Sequence, residues 1–140
     1  HYFTNPRPSN AAILENNKNE ILFVKRKFLP KKGYLDLPGG FIDLDETLEE
    51  SMKRELTEEI GIGKNPLSYF GSYPGPYDFS GVTYHTLCFV FVGKITSDVK
   101  PIANDDASQI IFIKKNAILF EQIAFPGLKK ALRAYLLSSH

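Results

Sequence analysis

The chain has 140 residues, of which 43% are hydrophobic and 24% charged, and its net charge is +1. This balance suits one globular domain, residues 1–140, large enough to form a core without disulfide staples. A lone cysteine, Cys88, excludes an internal disulfide and a multi-cysteine zinc site; near-neutrality argues against a nucleic-acid partner, and no apolar run approaches the roughly 20 residues of a membrane-spanning helix.

The first residues carry no apolar signal core, and a cytoplasmic setting with no membrane partner fits. Residues 11–14 and 21–24 are apolar runs, and the Asn-rich segment between them favours a hairpin turn. Lys25, Arg26, Lys27, Lys31 and Lys32 then form a basic stretch, suited to the phosphates of a substrate or to an ordinary solvated edge. A short strand at 34–37 runs into Pro38-Gly39-Gly40, a turn whose backbone must pass close to something.

Residues 47–60 read as a helix. Thr47 and Glu50 have the spacing of a capping box, and Gly61 supplies the stop. Leu48, Met52, Leu56 and Ile60 recur every four residues and form its buried stripe. Residues 67–72, 83–92 and 110–113 are β-rich. Between the first two, residues 72–80 form a Pro/Gly-stiffened loop carrying Tyr73, Tyr77 and Phe79. These rings suit stacking on a nucleobase, with aromatic cover for the core as the alternative. Asn104-Asp105-Asp106 reads as a polar turn. A second helix opens at Pro126 and puts Leu128, Ala131, Leu132, Tyr135 and Leu136 on one face. The order predicts an α+β fold with helices packed on a mixed sheet.

The small net charge conceals an asymmetry. Residues 43–59 hold 8 acids and 2 bases, a balance of −6, and the rest of the chain carries +7. At about 100° per residue, Glu55, Glu58 and Glu59 fall together at the edge of the apolar stripe. Carboxylates three and four apart repel one another, and Glu58 and Glu59 lie near the helix C-terminus, where the macrodipole disfavours anions. A hard divalent cation removes that penalty, and Mg²⁺ or Mn²⁺ suits oxygen donors. Arg54 has Glu50 and Glu58 four residues to either side as ion-pair partners.

Gly40, Glu46, Arg54, Glu55, Leu56, Glu58, Glu59, Gly61 and Ile62 fit the pattern G-x5-E-x7-R-E-U-x-E-E-x-G-U at every defined position, where U is a bulky aliphatic. The stretch resembles the Nudix box, and Leu37-Pro38-Gly39 resembles its usual lead-in. The resemblance implies an α/β/α sandwich around a mixed sheet, with the box as a loop–helix–loop. It implies hydrolysis of a nucleoside diphosphate linked to a group X, with Mg²⁺ or Mn²⁺. By position it makes Glu55, Glu58, Glu59 and the Gly39 carbonyl metal ligands. It gives activation of the attacking water to Glu55 or to the metal, support from the loop to Glu46, and orientation of the glutamates to Arg54.

Residues 72–80 further resemble the S-Q-P-W-P-F-P-x-S array of NADH pyrophosphatases within that family. The serines and the first two prolines coincide, whereas Tyr73, Gly75, Tyr77 and Asp78 depart from it. Relatives place another acid before a late strand, which makes Asp105 and Asp106 candidates. The expected partner is a small-molecule nucleotide, with a homodimer left open by the family's habits. An NADH, NAD or ADP-ribose substrate is the leading expectation. Oxidised nucleoside triphosphates are the alternative, and a non-catalytic binding module is the remote one.

Overall fold

The computed structural model describes residues 5–103 and 107–138. Among them the main sheet has seven strands. β1 (Arg7–Glu15) lies at its centre and runs parallel to β8 (Thr86–Lys94), from Arg7 opposite Thr86 to Glu15 opposite Lys94. β5 (Ser68–Pro74) pairs antiparallel with the far side of β8. On the near side β2 (Glu20–Arg26) is flanked by β3 (Leu35–Asp36) and β9 (Ala107–Lys114), both antiparallel to it. β4 (Gly39–Phe41) pairs antiparallel with β1, and β6 (Tyr77–Phe79) with β7 (Val82–Tyr84) forms a separate hairpin.

The predicted hairpin is present. The Asn16 side-chain oxygen accepts the backbone N–H groups of Lys18 and Glu20, each at 3.0 Å, which closes the turn between β1 and β2. The two strands pair only at Glu15 and Ile21. Beyond that point β4 takes the place beside β1, so the first half of β1 and the end of β2 border an opening in the sheet.

Alternation along β1 builds two cores. Ala11 and Ile13 face the cluster that holds Leu128, Ala131, Leu132 and Tyr135 of α2 (Pro126–Leu137). Ala12 and Leu14 face the cluster that holds Met52, Leu56 and Ile60 of α1 (Leu48–Ile60). The helices thus cover opposite faces of the mixed sheet, as expected of an α/β/α sandwich. Each fully buried leucine or isoleucine in these stripes contributes about 1.5–3 kcal/mol through burial. No described helix is long and apolar enough to cross a membrane.

Three elements differ from the sequence reading. The segment 83–92 is not one strand: it breaks at His85 into β7 and β8. Residues 77–79 are not loop but strand, because Ser80 and Gly81 both adopt left-handed backbone (φ 52° and 77°) and turn the chain into a hairpin. The strand expected at 34–37 is only two residues long.

Candidate active site

The acidic helix is held by its ends. Thr47 accepts from the Glu50 N–H and Glu50 accepts from the Thr47 N–H, a complete capping box. Gly61 closes the helix in left-handed geometry, with φ 73°. Glu50 is therefore spent on the cap, and Arg54 does not pair with it as the spacing predicted. The guanidinium turns toward the loop instead. It meets Glu46 at 2.6 Å, Glu55 at 2.8 Å, Glu58 at 3.2 Å and Asp43 at 3.4 Å, and donates to the Phe41 carbonyl at 3.2 Å. One cation thus gathers the carboxylates of helix and loop.

These contacts set the acidities. Hydrogen bonds from Arg54 hold the Glu46 carboxyl down at about 2. Burial pushes Glu55 up, and Arg54 only partly opposes it. Glu46 in turn is the main reason that the Arg54 pKa rises further.

Glu55 and Glu59, one turn apart, both line a cavity of about 570 Å³ together with Gly39, Gly40, Lys25, Arg26 and Lys27. Three successive residues of β2 and the turn after it reach the same cavity because the strand is irregular there: its register against β9 shifts between Lys25 and Arg26. The Gly39 N–H donates to Glu59 at 3.0 Å. At Gly40 a Cβ would fall 2.7 Å from the Glu55 carboxylate, and at Gly39 it would strike the Asn10 carbonyl. The close approach expected of Pro38-Gly39-Gly40 is therefore to the Glu55 side chain and to β1.

The remaining sequence candidates are scattered. Glu58 is half exposed, on the Arg54 side rather than in the cavity lining. Of the three rings proposed for stacking, only Tyr77 lines the cavity; it lies 4.9 Å from Phe125 and 5.4 Å from Tyr84. Tyr73 stacks on Phe70 and packs against the α2 core, and Phe79 belongs to the β6–β7 hairpin. Neither borders the cavity. Asp105 and Asp106 lie outside the described residues. Cys88 is buried and its thiol is pushed up to about 12 by burial, which suits an inert side chain.

Residues 5–135 match the family model of the NUDIX domain. The chain belongs to the Nudix family. It is 37% identical over 136 residues to an ADP-ribose pyrophosphatase of Methanocaldococcus jannaschii, covering 96% of this chain and 75% of that protein. Over 58 residues it is 41% identical to the NAD-capped RNA hydrolase NudC of Haemophilus influenzae, which is 40% of this chain and 22% of that one. A crystal structure of a MutT/nudix family protein from Enterococcus faecalis superposes with a TM-score of 0.74 at 21% identity, covering 96% of this chain and 62% of that one. The chain spans less than a quarter of the NudC protein, and the likeness to the Enterococcus structure concerns the fold.

Nudix hydrolases generally use divalent metals. Among the described residues no three acidic, histidine or cysteine side chains come together as a ready-made metal cage. Arg54 bonds to Glu55 and to Glu58, which is half exposed. The donor chemistry nonetheless fits a hard cation. Glu55 and Glu59 present carboxylate oxygens to one cavity beside the Gly39-Gly40 backbone. Mg²⁺ commonly takes one or two carboxylates and completes its shell with water and substrate phosphate.

The motif says nothing of the residues behind this Nudix site. Asn10 and Ser51 are buried and hydrogen-bonded to each other. Asp36 and Phe125 hold Arg26. For Ser51 a signal existed: it lies four residues before Glu55, on the buried side of the same helical face.

Proposed function

We propose that this Nudix hydrolase cleaves the diphosphate bond of an ADP-linked small molecule of the ADP-ribose or NADH type, with Mg²⁺ or Mn²⁺ held by Glu55, Glu58, Glu59 and the Gly39 carbonyl. One observation carries the reading: two helix carboxylates and three consecutive basic residues line the same cavity. The carboxylates suit a divalent cation, and the cations suit the diphosphate that it must meet. The similarity to the Methanocaldococcus ADP-ribose pyrophosphatase over 96% of the chain supports the substrate class.

The bound cation would neutralise phosphate oxygens and lower the pKa of a water. The chain's own residues do the rest. Lys25 and Lys27 draw in the diphosphate. Glu55 takes the proton of the attacking water. Arg54, anchored by Glu46, keeps Glu55 from swinging away.

A panel of ADP-ribose, NADH, NAD⁺, ADP-sugars, diadenosine polyphosphates and 8-oxo-dGTP, with Mg²⁺ or Mn²⁺, tests the reading. Release of AMP from ADP-ribose or NADH is the expected result. Cleavage confined to 8-oxo-dGTP would replace it with a triphosphate-cleansing role. Tight binding of one compound without any cleavage would make the chain a binding module.

A further inference from the structure

Arg26, in the cavity lining, is held at several points. Its Nε donates to the Pro30 carbonyl at 2.8 Å, and its Nη1 pairs with Asp36 at 2.9 Å. Both bonds lie in the plane of the guanidinium, because guanidinium N–H groups point along it. The guanidinium carbon lies over the Phe125 ring, 4.9 Å from its centroid. Phe125 is backed by Tyr77 at 4.9 Å, and Tyr77 stacks on Tyr84 at 5.4 Å with the two planes only 18° apart.

A chain of contacts, Tyr84–Tyr77–Phe125–Arg26, with Phe125 tilted 49° from Tyr77, therefore runs along the cavity, whose lining includes its last three members. Asp36 already pairs the charge of Arg26, which makes this residue a poor phosphate anchor. A guanidinium held at two edges and over an aromatic ring, in the lining of a cavity, is a fixed plane available to a flat ligand. Arginine planes of this kind stack on nucleobases.

We infer that the guanidinium plane of Arg26 is the platform on which the substrate's purine ring stacks, with Phe125 and Tyr77 as positioning residues behind it. The inference rests on reading the cavity as a nucleotide site, and it changes the part played by Tyr77. That ring buttresses the platform and does not have to touch substrate. It also accounts for Asp36, a partly buried acid with no place in the metal chemistry: it fixes the orientation of the plane.

The test is calorimetric binding of AMP and of ribose 5-phosphate in EDTA, with no hydrolysis involved. Wild-type protein is expected to bind AMP more tightly than ribose 5-phosphate. Arg26→Gln should weaken AMP by roughly 5- to 150-fold, the range of stacking on one base, and leave ribose 5-phosphate unchanged. Arg26→Lys keeps the charge and removes the plane, so it should weaken AMP nearly as much. Thermal melts confirm that both variants fold, and Phe125→Leu should lower AMP affinity without altering that for ribose 5-phosphate. Wild-type affinity in Arg26→Lys, equal weakening of both ligands, or no preference of the wild type for AMP would each overturn the platform. Failure of the wild type to cleave any dinucleotide, with AMP still held through Arg26, would defeat the proposed reaction and leave the platform standing.

Discussion

Asn10 in β1 donates its side-chain N–H to the Ser51 hydroxyl in α1 across 2.6 Å, and both side chains are buried. The same Asn10 accepts the backbone N–H of Gly40 at 3.0 Å. One amide thereby joins three elements: the central strand, the glycine strand beside the cavity and the helix that carries Glu55. The amide therefore ties Gly40 to the helix that carries Glu55.

Asn10→Ala should therefore weaken turnover more than its distance from the chemistry suggests. It leaves the Gly40 N–H without its side-chain acceptor and the Ser51 hydroxyl without its donor, at a cost of about 1–3 kcal/mol for a buried polar group left unpaired. Asn10→Asp keeps an acceptor for both groups. Urea denaturation is expected to rank wild type above Asn10→Ala. Turnover with saturating Mg²⁺ should fall at kcat more than KM, since the amide nitrogen and oxygen are engaged by Ser51 and Gly40. A normal kcat in Asn10→Ala would show that Gly40 and Glu55 keep their places without the amide.

Glu59→Gln and Glu58→Gln should both fold, for different reasons. The glutamine oxygen at 59 still accepts the Gly39 N–H, and position 58 is half exposed. Both are expected to lose most metal-dependent turnover, which is read as the rate at a series of Mg²⁺ concentrations. The loss in Glu59→Gln should resist added metal more strongly, because that carboxylate lines the cavity and Glu58 does not. Full activity in either variant would remove that residue from the ligand set.

The helix that carries the box glutamates was legible in the sequence because a fixed motif on a helix of known period leaves little freedom: the capping box, the stripe of Met52, Leu56 and Ile60 and the Gly61 stop all stand where the spacing puts them, although Glu58 lies outside the cavity that Glu55 and Glu59 line. The two-helix, mixed-sheet architecture followed from the order of elements. What stayed hidden depends on contacts between distant segments. Arg54 chooses Glu46 over Glu50 because the helix cap has already used Glu50, and the loop folds back onto the guanidinium. Tyr73 and Tyr77 look equivalent in the chain, yet Tyr73 sits on the edge strand β5 over α2 while Tyr77 lies in the hairpin beside the cavity. Phe125 lies almost a hundred residues from Arg26 in the chain, and no local pattern joins them.

Gly40→Ala should abolish activity while sparing the fold. A methyl group there would meet the Glu55 carboxylate at 2.7 Å, so the flexible end of Glu55 must move rather than the backbone. The expected result is a melting temperature close to wild type together with a large fall in kcat/KM. Substantial activity would mean that Glu55 works from another rotamer.

Glu15 should govern acid stability from the other end of β1. Its carboxylate is buried, accepts the Tyr135 hydroxyl at 2.6 Å and pairs with Lys94 and Lys115, each at 3.2 Å. Burial alone would raise its pKa, but the hydrogen bonds from Tyr135, Lys94 and Lys115 outweigh it and leave the value below the ordinary 4.5. The unfolded chain then binds the proton more readily than the folded one. This contribution is fully present above pH 4.5 and is lost as the pH falls through the lower folded-state value. Glu15→Gln retains an acceptor for Tyr135 and has nothing to titrate. Urea unfolding between pH 6 and pH 3 should therefore show a shallower acid loss in Glu15→Gln than in wild type. Parallel pH profiles would mean that other carboxylates carry the acid sensitivity.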